Sequence, residues 1–466
     1  MGSSLNPREV LQQRWGDDWL VGIDSQVFWQ RVEVQIEQCR EQASPVVLIT
    51  ERDPLKFLST FWAAWAADCP IYLGSPDWGE REWQQVWAQG KPDTIWGDLP
   101  PNCLPPQTAP LLALERGRVG IPTGGSGGQI KFAVHSWETL VAAVEGFQQH
   151  FQVGQVHAYC VLPLYHVSGL MQALRAFISR GRLAIQPFKA LSTGNRLTLP
   201  AQGSFISLVP TQLQRLLTQG AATWLSQFQA VLLGGAPAWS ALLEQARLQA
   251  VPVALTYGMT ETAAQVATLL PAEFLSGRNC AGRVLPHARI EIWDEAGAVL
   301  PPGEVGQICV YVRSLAHRYI QTHFGSQSVP TGVEGWRGFL PGDLGYLDEQ
   351  GYLSVVGRNS TKIITGGEKV FPEEVERVIR ETGLVSDVCV VGLTDPDWGQ
   401  VVTAVYVPGE AGPEVGKLRQ QIMPQLSKFK QPKHWIAVES LLLNAQGKVN
   451  RQAVLQLAKQ RLKSVS

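Results

Sequence analysis

Short, continuously apolar runs rich in β-branched residues alternate along this chain with longer helix-like runs, and that alternation limits the fold more than any other feature. Val46-Val47-Leu48-Ile49-Thr50 is one such run, and residues 58–67, rich in Ala and Trp, form a helical stretch behind it. Ala158-Tyr159-Cys160-Val161-Leu162 and Ala230-Val231-Leu232-Leu233 repeat the short buried-strand pattern. Strands of this kind separated by helices predict an α/β fold built in layers. The texture changes past Gly282. Arg289-Ile290-Glu291-Ile292-Trp293-Asp294 alternates polar and apolar residues, and residues 294–297 offer a turn. Gly306-Gln307-Ile308-Cys309-Val310-Tyr311-Val312 reads as a strand, and Asp348-Glu349-Gln350-Gly351-Tyr352-Leu353 as a hairpin-like turn. These predict antiparallel strands closing a small β subdomain.

A chain of 466 residues exceeds one ordinary core, so at least two domains are expected. The boundary is placed near Asn359, giving a large N-terminal domain over 1–358 and a small α+β C-terminal domain over 359–466 with a helix at 372–382 and a strand at 388–391. A domain of about 110 residues is an ordinary size. The formal net charge of -1 provides no basic excess for nucleic acid or an anionic membrane. Cys39, Cys69, Cys103, Cys160, Cys280, Cys309 and Cys389 are odd in number and lack metal-ligand spacing, which predicts reduced thiols. Residues 57–73 are apolar but interrupted by Asp68 and Pro70, so they predict a buried helix and short strand and no membrane insertion. With no basic segment leading into an apolar run at the N-terminus, a cytoplasmic location is expected.

Four motifs carry the chemistry. Thr123-Gly124-Gly125-Ser126-Gly127-Gly128-Gln129-Ile130-Lys131 places four glycines and two hydroxyl residues in nine positions. Glycines let successive N–H groups converge on a phosphate, and the lysine adds a compact positive charge. The spacing is not that of a Walker loop. Val253-Ala254-Leu255-Thr256-Tyr257-Gly258-Met259-Thr260-Glu261 and Ala230 to Leu233 with Gly234-Gly235-Ala236-Pro237 are strands running into glycine turns. Ligands in open α/β sheets bind at such strand ends. Gly357-Arg358-Asn359-Ser360-Thr361-Lys362-Ile363-Ile364-Thr365-Gly366-Gly367-Glu368 comes third, and Gly447-Lys448-Val449-Asn450-Arg451 closes the set. Taken singly, each is also a plain linker, strand exit or surface turn.

In this order, and from about residue 45 to the end, the motifs resemble the acyl-adenylate-forming, AMP-binding superfamily of acyl-CoA ligases, luciferases and adenylation domains. The resemblance implies ATP, Mg²⁺ and coenzyme A as small-molecule partners, together with a carboxylic acid. Thr123, Gly125, Ser126, Gly128 and Lys131 match the family's phosphate loop, whereas Gly124, Gly127, Ile130 and Phe132 depart from it. By the same resemblance Gly235 and Ala236 border adenine, Tyr257 stacks on it, Thr260 touches phosphate and Glu261 holds Mg²⁺. Asp343 and Arg358 would bind ribose. Lys448 would meet the α-phosphate and the reacting carboxylate, on a mobile C-terminal domain. Gly366 and Gly367 would approach the pantetheine arm, with Lys430 near the CoA phosphates. Thr361 stands where the family usually has a hinge aspartate.

Pro163-Leu164-Tyr165-His166-Val167-Ser168-Gly169, with Arg175 nine positions after His166, is similar to o-succinylbenzoate:CoA ligases of menaquinone and phylloquinone biosynthesis. That similarity implies His166 beside the reacting carboxylate, Ser168 and Arg175 holding a second one, and Gly258 and Gln265 in the pocket wall. Some of these ligases carry Thr at the place of Gln265. Alternatives remain: another aryl- or acyl-CoA ligase, an adenylation enzyme loading a carrier protein, or a degenerate nucleotide-binding protein. The last sits poorly with Glu261, Asp343, Arg358 and Lys448 all being retained.

Overall fold

The computed structural model describes residues 6–112, 114–124, 130–320, 336–365, 368–395, 398–409, 412, 414–443 and 449–463. Its contacts divide the chain into two compact units. The first comprises Met1–Gly235, Ala246–Ile290 and Val310–Phe339; the second comprises Ala236–Gln245, Glu291–Cys309 and Leu340–Ser466.

The first unit is α/β, as the alternation predicts. Leu20–Val21, Leu183–Ile185, His157–Cys160, Ser204–Leu208, Ala230–Leu233 and Val253–Met259 lie side by side in that order, all parallel. Ala264–Thr268 and Gly282–Val284 extend the order antiparallel. A second sheet runs Arg318–Tyr319, Ile130–Ser136, Arg118–Gly124, Ile71–Leu73, Val47–Thr50 and Thr94–Gly97. The helix Pro54–Ala66 starts at Asp53, whose carboxylate accepts from Lys56 N–H at 2.9 Å. All ten residues from Phe57 to Ala66 are buried, the expected state for a helix apolar on every face. Together with Ser25–Glu41, Trp137–Phe151 and Val167–Ile178 it shares one core with apolar residues of both sheets. Within that core the rings of Trp62 and Phe177 stack at 3.9 Å. Each such buried aromatic contributes about 2–3 kcal/mol.

The opening 40 residues, silent at the level of motifs, prove structural. Asn6 and Glu9 form a capping box on Pro7–Arg14. Arg14 is 3% exposed, and its guanidinium donates to the carbonyls of Ala176, Phe177 and Gly181 at 3.1, 2.9 and 3.1 Å. The Ala176 and Phe177 carbonyls also accept from Gly181 and Arg180 N–H at 2.8 and 3.2 Å, so the guanidinium adds a second donor to each at the end of the helix Val167–Ile178.

In the second unit, Val385–Asp395 and Gly399–Pro408 form a long antiparallel ribbon, with Ile363–Thr365, Glu368–Val370 and His434–Ala437 completing the sheet. Val388 and Val390 face a core with Val375, Ile379 and Leu418, while Cys389, Val391 and Leu393 face another with Val454 and Ala458. Both faces of the ribbon are covered, so its centre is an unbroken apolar run. The strand reaches well beyond the expected 388–391 because ladder pairing carries it through polar Asp387 and Thr394. The expected hairpin joins Asp343–Leu347 to Tyr352–Arg358, and the Asp348 carboxylate accepts from Gln350 and Tyr352 N–H at 2.9 Å each. Gly306 and Gln307 pair with Gly345 and Leu344 of that hairpin.

Candidate active site

The two strands that lead into and out of the candidate phosphate loop are paired at its base. Thr123 and Lys131 are direct partners on adjacent antiparallel strands. Beyond them, Ile130 N–H donates to Gln85 at 2.8 Å and the Ile130 carbonyl accepts from Gln89 at 2.9 Å. Both glutamines lie on or near one face of the helix Glu80–Gln89, four residues apart. Gly125, Ser126 and Gly128 lie outside the described residues, as do Gly366, Gly367 and Lys448.

Thr260 and Glu261 stand on the 3₁₀ turn Thr260–Thr262, entered from the strand Val253–Met259. Two separate segments, at His135 and at residues 314–316, grip this turn through its three carbonyls. The His135 Nε2 donates to Thr260 at 2.8 Å, Ala316 N–H to Glu261 at 2.8 Å, and Ser314 Oγ to Thr262 at 2.7 Å. A turn so tethered holds its side chains before any ligand arrives. Glu261 is 8% exposed and accepts from the Tyr319 hydroxyl at 2.5 Å. Lys131 Nζ lies 5.2 Å from the centre of the Tyr319 ring, which brings loop lysine, tyrosine and carboxylate into one chain. Among the described residues no lysine or arginine pairs with Glu261. A buried hard-oxygen ligand without a cationic partner fits Mg²⁺, which takes one or two carboxylates plus substrate phosphates. His135 and Tyr319 carried no sequence signal, since neither sits in a glycine turn or a charged cluster.

His135 has a measurable consequence. Burial pushes its imidazole down to about 3. Above about pH 6.5 both folded and unfolded states are neutral at this site. Between about 6.5 and 3 the unfolded chain takes up a proton that the folded chain refuses, so stability falls as pH drops through that window. His135→Gln keeps a donor for the Thr260 carbonyl but cannot titrate. It is expected to flatten the pH dependence of urea stability between about pH 4 and 6 by up to ~1.4 kcal/mol per pH unit. An unchanged slope would show that His135 is protonated in the folded protein.

The residues expected to bind the acid lie on or beside three elements. His166 is the N-cap of Val167–Ile178, and its ring lies 4.8 Å from that of Tyr165, whose hydroxyl donates to Asp77 at 2.9 Å. Ser168 is exposed at the start of the helix. Arg175, two turns on, is 4% exposed. Its guanidinium carbon sits 4.2 Å from the Phe147 ring centre, and Nη2 donates to Gln265 Oε1 at 2.9 Å. Gln265 Nε2 in turn donates to Thr268 at 3.2 Å. No carboxylate among the described residues pairs with Arg175, and its Nε has no hydrogen-bond partner there. Burial pushes Arg175 down to about 9, which leaves it charged at neutral pH.

Gln265 reaches this position through a bulge. Tyr257 opposes Ala267 but Gly258 opposes Gln265, so Val266 is the extra residue. A Cβ on Gly258 would run into the backbone of Ala264 and Gln265. Tyr257 is half-buried, and Gly235 and Ala236 are exposed beyond the strand Ala230–Leu233, with Gly235 at φ +80°.

In the second unit Asp343 and Arg358 face each other across the hairpin, joined by an Nε–Oδ1 ion pair of 2.9 Å. Asp343 is 5% exposed. Lys430 is paired with Glu374 at 2.7 Å. Thr361 donates to Glu373 at 3.4 Å, and Arg451 pairs with Glu373 and Glu376 at 3.1 and 2.8 Å. Arg451 thereby anchors the helix Arg451–Lys463, three positions after Lys448.

Residues 24–320 match the family model of the AMP-binding enzyme, and residues 374–448 match that of the AMP-binding enzyme C-terminal domain. The 2-succinylbenzoate–CoA ligase of Listeria innocua is 35% identical over 292 residues, 63% of this chain and 59% of that protein. The chain therefore matches about three fifths of that relative's length. The 2-succinylbenzoate–CoA ligase of Geobacillus sp. (strain WCH70) is 32% identical over 339 residues, 72% of this chain and 68% of that protein. Among solved structures, the o-succinylbenzoate coenzyme A synthetase of Bacillus subtilis with ATP and magnesium ion has a TM-score of 0.80 at 24% identity, covering 96% of this chain and 99% of that one. ATP-bound MatB from Rhodopseudomonas palustris has a TM-score of 0.80 at 21% identity, covering 98% and 99%. These two likenesses establish the fold. With the first family model spanning well over half of its length, the chain belongs to the AMP-binding enzyme family.

Proposed function

We propose that this chain is an ATP-dependent o-succinylbenzoate:CoA ligase serving menaquinone or phylloquinone biosynthesis. One observation carries the choice of acid: a buried arginine without a carboxylate partner among the described residues, at the pocket of a carboxylate-activating fold. Burying an unpaired charge costs several kcal/mol, and a second substrate carboxylate would offset that cost. A monocarboxylic fatty acid would leave it standing. The relatives named 2-succinylbenzoate–CoA ligase support the same reading.

The reaction has two displacements. A carboxylate oxygen attacks the α-phosphorus of ATP, forming the acyl-adenylate and releasing pyrophosphate. The CoA thiol then attacks the acyl carbon, forming the thioester and releasing AMP. Thr123, Lys131 and the loop between them are assigned to the phosphates, and Thr260 to the same group. Glu261 would hold Mg²⁺, which supplies charge neutralisation between phosphate oxygens. Tyr257 is assigned to adenine, with Gly235 and Ala236 at its edge, and Asp343 and Arg358 to ribose. Lys448 stabilises charge at the α-phosphate as the attack proceeds. His166, Ser168, Gly258, Gln265 and Arg175 bind the acid; Gly366, Gly367 and Lys430 are assigned to CoA. A cytoplasmic location goes with soluble substrates, and no described helix is long and apolar enough to cross a membrane.

The test is ATP- and CoA-dependent AMP release from o-succinylbenzoate, benzoate, 4-coumarate and a medium-chain fatty acid. Preference for the dicarboxylate by at least about 100-fold in kcat/KM is expected. Preference for a monocarboxylate would overturn the choice of acid, and turnover without CoA would point to a different acceptor.

A further inference from the structure

His287 is buried at 2% exposure, and neither ring nitrogen has a hydrogen-bond partner among the described residues. A buried polar group left unmatched costs about 1–3 kcal/mol, whereas an apolar residue of similar volume would pack there without that cost. An imidazole in such a place needs a reason.

Its surroundings supply one. His287 and Arg175 are seated on the same two elements, one residue apart on each. On the helix Trp137–Phe151, His287 lies against Gly146 so closely that a Cβ there would run into Nδ1, and Arg175 lies over the ring of Phe147. On the strand Ala264–Thr268, the turn bearing His287 is fastened to Val266, whose carbonyl accepts from Leu285 N–H at 2.8 Å, and Arg175 is bonded to Gln265. The same turn is closed by Ala288 N–H to Leu285 at 2.9 Å, and the His287 carbonyl accepts from Arg313 N–H at 3.1 Å. Burial, and then the charge of Arg175, hold the imidazole down to about 3. His287 is thus neutral at working pH and adds no second positive charge beside the guanidinium. It offers one N–H donor and one acceptor.

We propose that His287 is a specificity-determining residue whose unbonded ring N–H, near the equally unmatched Nε of Arg175, is held ready for the second carboxylate of the substrate. The inference rests on the dicarboxylate reading above. One buried positive charge bonded to a neutral amide, with an unused neutral N–H donor near it, matches a single carboxylate, and a neutral imidazole brings no like-charge repulsion to the guanidinium.

The experiment compares o-succinylbenzoate with 4-oxo-4-phenylbutanoate, the same acid without its ring carboxylate, in wild type, His287→Phe and His287→Asn. In His287→Phe, KM for the dicarboxylate is expected to rise about tenfold with kcat within about twofold, while kcat/KM for the monocarboxylate stays within about twofold. Activity on the monocarboxylate also reports that the variant is folded. His287→Asn, which keeps a donor and an acceptor, is expected to recover most of the dicarboxylate KM. Should His287→Phe lower both acids alike, or leave the wild-type selectivity intact, His287 has a packing role and the proposal is overturned while the dicarboxylate reading survives. Wild-type protein that does not discriminate between the two acids would overturn both.

Discussion

Lys448→Ala is expected to slow adenylate formation by about 10²–10³-fold, the usual cost of removing one preorganised stabiliser of transition-state charge. Thioester formation from supplied acyl-adenylate should stay within about threefold, because that step is attack at the acyl carbon with AMP as an already good leaving group, and Lys448 is assigned to attack at the α-phosphorus. The check is single-turnover pyrophosphate release beside CoA-dependent consumption of synthetic acyl-adenylate. Separate losses are the signature of a lysine that serves one half-reaction. Equal losses in both would sink that assignment and leave Lys448 a structural or shared binding role.

Replacing Arg175 should move activity and stability in opposite directions. Loss of the guanidinium is expected to lower kcat/KM for o-succinylbenzoate by about 100-fold, or ~2.7 kcal/mol. The folded protein, by contrast, holds this charge buried with only a neutral amide, Gln265, bonded to it. Apolar replacement of a buried ionic group is often neutral or stabilising by about 1–4 kcal/mol. Arg175→Met alone leaves Gln265 Oε1 without its donor, which offsets part of the gain. Arg175→Met combined with Gln265→Leu removes both polar partners and is expected to raise urea stability by about 1–3 kcal/mol while abolishing preference for the dicarboxylate. Reduced stability of the double variant would mean that the pair holds the helix Val167–Ile178 against the strand Ala264–Thr268, and that its first duty is to the fold.

Much of the architecture could be read from runs of residues. The strand at Ala230–Leu233 and the one at Gly306–Val312 coincide with their apolar runs, because a buried strand must be apolar wherever both faces are covered. The turn at Asp348 was legible through its Asp and Gly chemistry. Boundaries set by pairing were less so. Val385–Asp395 outran its apolar centre because hydrogen bonding to a partner strand does not require apolar side chains.

The candidate site divides along a similar line. Glu261, Thr260, Tyr257 and Lys131 announce themselves through glycine turns and local composition, since phosphate and metal chemistry demands particular residue types close together in sequence. Arg175 was nominated by its spacing from His166, but sequence could not distinguish an exposed helix arginine from the buried one found. His135, Tyr319, Arg14 and His287 gave no sequence signal at all. Each acts through a partner more than 50 positions away, or through a neighbour such as Gly146 that is informative only once the helix and the turn have met. By itself the sequence determined the order of strands and helices, the membership of the motif set and the chemical types available, because those follow from local periodicity and composition. Tertiary structure alone decided that Arg175 is buried against Gln265 without a described carboxylate partner and that the Thr260–Thr262 turn is held by two distant segments, because burial and long-range hydrogen bonds belong to packing and leave no local trace.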